Sequence, residues 1–338
     1  MERVKAFLKR KQVVISVQTY LIDALGAMAF GLFASLLIGT IFGTLGEKTG
    51  VVIFTTIAGY AKSATGAALG VSIAYALKAP TLVLFSAATV GIAGNELGGP
   101  VGALVATIIA AELGKIVSKE TPVDILVTPG VTIISGILAA QFVGPGVSAF
   151  MTAFGNLVKT ATVMQPLFMG ILVSALIGIA LTLPISSAAI CIMLSLDGLA
   201  GGAATAGCCA QMVGFAVMSF KENRWGGLVS QGIGTSMLQM GNIIKNPRIW
   251  IAPIVTSAIT GPLATCLFKL EMNGTAVSSG MGTCGLVGQI GVYSGWVNDV
   301  AAGVKSAITP MDWIGLILIS FVLPAVICPI INMFLKRA

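Results

Sequence analysis

The sequence predicts an all-α polytopic membrane protein, with about 10 transmembrane segments in two related halves and re-entrant hairpins. Three observations carry that expectation. The first is solvent preference: 56% of the residues are hydrophobic, only 9% are charged, and the mean hydropathy is +1.00. A soluble domain carries about 25% charged residues, so this chain lacks the polar surface to stay in water. The second is the run of apolar segments, many near the roughly 20 residues that cross a bilayer as a helix. The third is the 42 glycines, which let helices approach closely in lipid and permit breaks where backbone lines an enclosed cavity.

Taken in order, the first eleven residues, MERVKAFLKRK, form a basic amphipathic lead without a small-residue cleavage site. They read as a cytoplasmic anchor, not a removed signal peptide. Apolar segments follow over 20–45, 50–77, 80–94, 100–117, 126–154, 163–184, 186–219, 226–243, 249–268, 275–300 and 311–335. Several are too short or too glycine-rich to be simple spans. With the N-terminus inside because of Arg3, Lys5, Lys9, Arg10 and Lys11, alternation puts Lys78, Lys115 and Lys119 inside as well. A full crossing by 128–146 sends Lys159, Lys221 and Arg224 outside, whereas a hairpin there, flanked by Pro129-Gly130 and Gly144-Pro145-Gly146, returns them. The hairpin leaves Lys245, Arg248, Lys336 and Arg337 on the wrong side. The favoured arrangement has re-entrant elements near 128–150 and 278–298.

An internal repeat divides the chain. GLFASLLIG (Gly31 to Gly39) aligns without gaps on GILVSALIG (Gly170 to Gly178), an offset of 139. Weaker matches follow in the same order: ATGA at Ala64 with ATAG at Ala204, GIAG at Gly91 with GIGT at Gly232, and SGILAAQ at Ser135 with CGLVGQ at Cys284. The reading is a first half over 1–160 and a second half with a terminal helix over 161–338. Such designs hold substrate near the midplane where the halves meet.

Ionisable groups inside spans cost about 2.5–3.5 kcal/mol on insertion scales, so they mark function or buried pairing. Asp23, Lys62, Glu96, Glu112 and Asp197 are the candidates. Glu96 stands out in GIAGNELGGP (Gly91 to Pro100), as the one charged side chain between Thr81 and Ala111. Asn95 beside it both donates and accepts. Gly98 and Gly99 permit unwound backbone, and Pro100 restarts a helix well at its first turn. Glu96 and Asn95 then suit a hydroxyl-rich ligand; a solvated surface loop and an ion pair with Lys62 are the competing readings. Asp197 lies in a second glycine-rich break, SLDGLAGGAATAG. The repeat offset places Asp197 near Ala58, close to Lys62, so Lys62 pairs with a carboxylate across the halves, takes part in substrate or ion coupling, or snorkels to a surface. Asp23 and Glu112, the latter one turn from Lys115, read as interfacial. Gln141, Gln211, Gln231, Gln239, Asn242, Gln289 and Asn298 are divided between a polar path and helix–helix hydrogen bonding; Gln141 and Gln289 gain weight from the two expected hairpins.

Some chemistry is excluded. There is no histidine, which removes histidine acid–base catalysis, histidine metal sites and a phosphohistidine relay. No P-loop, Gly-x-Ser-x-Gly or Cys-x-x-Cys occurs. The six cysteines read as small buried apolar residues. No catalytic residue, cofactor-binding residue or metal ligand is assigned.

The block NELGGPVGALVATIIAAELGKIVSKETPVDILVTPG, together with LPISSAAICIMLSLDGLAGGAATAGCCAQMVGFAVMSFKENRWGGLVSQGIGTSMLQMGNIIKNPRIWIAPI, resembles the type-2 EIIC membrane family. These are stand-alone relatives of the sugar-translocating IIC subunit of the bacterial phosphotransferase system, and the chain is similar to the perfringolysin O regulator-type members. The resemblance implies a homodimeric permease in the bacterial inner membrane, with re-entrant hairpins holding a sugar or similar small polar solute. It also implies a separate IIB protein wherever phosphate is transferred, since no IIB domain is fused. The second reading is a membrane sensor derived from such a permease, which binds ligand without transport. No catalytic residue carries over by motif. The proposed substrate-binding set, Asn95, Glu96, Asp197, Lys62, Gln141 and Gln289, rests on chemistry and placement.

Overall fold

In the computed structural model, residues 2–274 and 276–337 are described, and they form helices joined by turns, with no β-strand among them. Six helical stretches are long and apolar enough to cross a membrane: Gln18–Thr49, Thr81–Val117, Asp124–Thr162, Gly198–Met218, Arg248–Leu267 and Pro310–Leu335. Thr65–Ala76 and Pro166–Thr182 are apolar but shorter. The other apolar stretches of the sequence fall on short or broken helices. The chain divides into two compact units, Met1–Phe150 and Met151–Ala338.

Within the first unit, helices pair antiparallel through small residues. Gly50, at φ 71°, ends Ile38–Thr49, and Val52–Ser63 returns along it. Gly46 meets Phe54 and Thr55, Gly43 meets Ala58, and Phe42 stacks on Phe54 at 5.7 Å. Thr65–Ala76 then lies against the start of Thr81–Val117, with Gly70 packed on the backbone of Ala87 and Gly91. Without a hydrophobic drive between helices in lipid, close backbone approach of this kind is what holds them together.

The 37 residues of Thr81–Val117 would reach about 56 Å if straight, nearly twice the roughly 30 Å hydrocarbon thickness. They do not run straight. Helical geometry breaks at Gly98 (φ −147°, ψ 20°) and Gly99 (φ 59°, ψ −159°), the second in a region open essentially to glycine alone. Beyond the break the chain doubles back: Gly94 faces Gly102 and Ala103, Val90 clusters with Ala106 and Ala110, and Val83 lies against Gly114. The element is a helical hairpin with its tip at Gly98–Gly99, and each arm is about 26 Å long.

The expected hairpin near 128–150 is corrected by this finding. That stretch belongs to one helix, Asp124–Thr162, which runs beside the hairpin from its base, where Thr132 meets Gly114, to its tip, where Gly144 meets Leu97 and Gly98. Pro129 and Pro145 lie inside this helix. Each removes one backbone donor, which bends a helix without necessarily ending it. The turn-back lies at Gly98–Gly99 instead, where two successive glycines free both φ and ψ.

In the second unit, Pro166–Thr182, Gly198–Met218 and Arg248–Pro262 form the core. Gly207 packs on Ser174 and Gly261 on Gly170, each against backbone. Buried Gln211 ties the three helices together. Its Oε1 accepts from Thr182 Oγ1 at 3.2 Å and from Trp250 Nε1 at 3.0 Å, and its Nε2 donates to Ser257 Oγ at 3.5 Å. A second chain of amides runs from Asn242 through Gln239 and Gln231 to Ser219, with links of 2.9, 2.8 and 3.0 Å. These groups serve helix–helix bonding.

The stretch 278–298 does fold back on itself. Ala276–Ser279 and Val287–Ala301 run antiparallel around a turn with Gly282, Gly285 and Leu286 at positive φ. Gly291 meets Ser278, and Gly288 meets Gly282. The turn is buried against the Gly198–Met218 helix, where Gly282 touches Cys208 and Cys209, and Thr283 Oγ1 lies 3.5 Å from Met212 Sδ. A short helix, Ser187–Met193, joins this hairpin through Ser187 Oγ, which donates to Gly280 O at 2.7 Å.

Candidate functional site

Two polar clusters emerge, one in each unit. In the first, Asn95 and Glu96 sit at the last turn before the hairpin tip. Asn95 is half-buried and Glu96 is exposed. Gln141, also exposed, lies one turn before Gly144 and so at the same end of the unit. Lys62 lies four residues before Gly66, which packs on Gly91 and Ile92, and its side chain rests on Gly39 and Gly43. A Cβ on Gly43 would stand 3.3 Å from Lys62 Nζ. The hairpin therefore gathers groups far apart in sequence at one end. No hydrogen bond or ion pair joins them.

The competing pair is also corrected. Lys62 takes part in none of the ion pairs among the described residues, which include Arg10–Glu120, Lys11–Glu120, Lys115–Glu112 and Lys305–Asp312. Glu112 belongs to the base of the hairpin. It accepts from Lys115 Nζ at 2.8 Å, and that ammonium is 1% exposed and also donates to Gln12 O and Leu77 O at 2.9 and 3.0 Å. Asp23 accepts from Gln18 Nε2 at 2.7 Å. Both carboxylates have local partners and leave the tip as the unit's open polar end.

In the second unit, Asp197 immediately precedes the Gly198–Met218 helix and makes no side-chain cap bond. A carboxylate there is favoured by the helix dipole, and its oxygens stay open to a ligand. An extended segment, Leu270 to Asn273, crosses the start of that helix because Gly201 and Gly202 leave room for Met272 and Leu270. Met272 N donates to Gly198 O at 2.9 Å, and Gly198 N donates to Asn273 Oδ1 at 3.2 Å. The crossing walls a cavity of about 210 Å³, lined by Ser195, Asp197, Met272, Asn273, Gly274 and Ala276. The volume lies below the roughly 300–1,000 Å³ of drug-sized sites and suits a small polar ligand.

Asn273 was not singled out by the sequence, yet it organises this end of the unit. Its Nδ2 donates to Asp299 Oδ2 at 2.8 Å and to Glu271 Oε2 at 3.2 Å. The polar island EMNG between apolar runs was the available signal, but an Asn-Gly pair reads first as a turn. Gln289 is set apart from Asp197's cavity. On the hairpin's second arm, its Nε2 donates to Ser320 Oγ at 2.9 Å and to Cys209 Sγ at 3.3 Å, and its buried Oε1 has no partner. The structure thus gives Gln289 a helix-bonding place.

Chemically, both clusters can accept and donate hydrogen bonds to a hydroxyl-bearing molecule. Neither brings a nucleophile to a base. The family model described as "Phosphotransferase system, EIIC" matches residues 22–338. Neither a curated protein nor a solved structure matches the chain. The match covers both units almost entirely, and with the apolar helices it makes this chain a multi-pass membrane protein belonging to the phosphotransferase system EIIC family.

Proposed function

We propose that the protein is a permease of the phosphotransferase IIC type that binds and translocates a sugar or a similar small polar solute. The family match over residues 22–338 carries the reading. Each unit offers its own candidate acceptors for such a solute. Asp197, with Asn273 beside it, supplies a carboxylate and an amide at a glycine-walled crossing, and Asn95 and Glu96 supply the same pair of groups at a hairpin tip. Acceptors of this type bind hydroxyls by directional, charge-assisted hydrogen bonds. Lys62 and Gln141 contribute from the end of the first unit that carries the tip. The hairpins at 81–117 and 276–301 act as re-entrant elements. The protein works as a homodimer in the bacterial inner membrane with its basic N-terminus cytoplasmic. Phosphate, where transferred, comes from a separate IIB protein.

The test is solute flux into proteoliposomes, screened over a panel of sugars and polyols with and without a phosphorylated IIB protein. A transported solute whose flux falls at least about ten-fold in Asp197→Asn and in Glu96→Gln, with both variants eluting as the parent does, is the expected result. Saturable binding without flux would replace the permease by a sensor. Full flux in both variants would remove these carboxylates from the site.

A further inference from the structure

On the other side of Asn273 lies a second cavity, of about 450 Å³. Its floor is Trp296, only 3% exposed. Its walls include Phe268, Glu271, Asp299, Lys305 and Asp312. Two of the carboxylates are fixed before any ligand arrives. Asp312 is gripped by the backbone N–H and hydroxyl of Thr309 at 2.7 and 2.8 Å in a capping box, and Asp299 by Asn273 at 2.8 Å. A fixed carboxylate beside an indole face is the arrangement that holds an organic ammonium group, by charge-assisted hydrogen bonding and cation–π attraction.

The cavity already holds one. Lys305 Nζ lies 2.6 Å from Asp312 Oδ1 and 5.6 Å from the centre of the Trp296 ring, inside the roughly 6 Å reach of cation–π attraction. Lys305 stands on a connection of turns and bends, 302–309, between Val287–Ala301 and Pro310–Ile317. Its tether is not part of a helix, so it can leave without unwinding one. Three carboxylates, Glu271, Asp299 and Asp312, face two lysines, Lys269 and Lys305. Lys269 is exposed and makes no ion pair among the described residues. When Lys305 leaves, the anionic walls and the aromatic floor remain.

We infer that the Trp296 cavity is a binding site for a ligand bearing a primary ammonium group, and that Lys305 is its tethered occupant, displaced when such a ligand binds. The inference rests on the second unit's own geometry and does not depend on the solute assigned to Asp197 and Glu96. Its source is either a free amine solute or an amine-bearing lipid headgroup.

The four tryptophans provide the readout. With ¹⁵N-labelled tryptophan in micelles, the Trp296 indole signal, assigned by Trp296→Phe, is followed while ethylammonium chloride is added, with ethanol as the neutral control. Lys305→Met should give a saturable shift at a concentration roughly ten-fold lower than the wild type, and Asp312→Asn in that background should erase the gain. Lys305→Gln repeats the test should the methionine variant fold poorly. A second arm records the signal in nanodiscs with and without ethanolamine-headgroup lipid. A shift in either arm supports the site and identifies the source. If folded Lys305 variants show only the drift given by ethanol, with no response to the lipid, the inference is overturned. Equal responses in wild type and Lys305→Met would overturn the role of Lys305 as occupant. Unaltered solute flux in these variants would leave the permease reading intact whichever way the amine result falls.

Discussion

Replacing Lys115 by methionine tests what holds the first hairpin in place. The ammonium is 1% exposed and Glu112's side chain 13%, so the pair is largely dry. Methionine nearly keeps the volume and removes the charge. Two backbone carbonyls, Gln12 O and Leu77 O, lose their donor, and Glu112 keeps a charge without its ammonium partner. Breaking a buried pair by removing one member costs about 3–5 kcal/mol, because the remaining charge is stranded. The lost carbonyl bonds overlap with that figure and are not added to it. For a unit of about 150 residues, the loss lowers the melting midpoint by on the order of 10 °C. The assay is helical circular dichroism against temperature in one fixed detergent. The double variant Lys115→Met, Glu112→Gln should recover more than half of the loss, because no charge is then stranded. An unchanged midpoint in Lys115→Met refutes the clamp. A double variant no better than the single one refutes the stranded-charge argument and leaves the carbonyl bonds as the cause.

Two further predictions concern the same unit. A leucine at Gly94 would meet the backbone of Gly102 and Ala103 across the hairpin, so Gly94→Leu should destabilise by about 1–3 kcal/mol, while leucine at Gly26, where nothing lies within 4 Å of an added Cβ, should be near neutral; the same melting assay compares them. Glu120, in the turn outside the spans, is held below the usual carboxylate range by the hydrogen bond from Lys11, with Arg10 and Lys11 adding charge attraction. A lowered folded value means its contribution is present above the ordinary carboxylate pKa, about 4.3, and disappears as pH falls through the lowered value. A nitroxide at Val14, in a Cys266→Ser background, should become more mobile over that acid window, and Glu120→Gln should be mobile at every pH. A label mobility independent of pH in the wild type would show that this ion pair does not hold the N-terminal arm.

The break at Gly98–Gly99 was legible because it is a local property: two glycines and a proline leave few alternatives to a bend. The fold-back at 278–298 has no proline to mark it; its turn rests on Gly282, Gly285 and Leu286 at positive φ. The expected hairpin at 128–150 failed although Pro129-Gly130 and Gly144-Pro145-Gly146 are adjacent breakers, because packing along a neighbour outweighs the loss of single backbone bonds. The length and composition of Thr81–Val117 describe a span, while the direction of its second arm depends on Gly94 and Gly102 meeting across the turn. Asn273 was not legible, because its role comes from Gly201 and Gly202 admitting a segment about seventy residues further along the chain. No local pattern marks such a crossing.

The two hairpins put their polar groups at opposite ends. At Gly98–Gly99, the tip carries Asn95 and Glu96, and the base is sealed by Lys115. In 276–301, the tip is sealed among Cys208, Cys209 and Met212, and Asp299, bonded to Asn273 of the preceding segment, lies at the polar base. A hairpin with a sealed base and an open tip can tilt its polar end while its root stays fixed. One with a sealed tip and an open base can admit a ligand only through its flanking connections, which here are the extended Leu270–Asn273 segment and the 302–309 turn. Ligand binding in the second unit therefore acts on connections, where chain can move without breaking helical hydrogen bonds. Glu96 and Asp197, though both carboxylates at glycine-rich breaks, are consequently expected to differ in kind when neutralised. Asp197→Asn weakens solute affinity directly. Glu96→Gln leaves equilibrium affinity closer to that of the parent and slows flux. Equal losses of affinity in the two variants, measured by solute titration in micelles, would refute this division of labour.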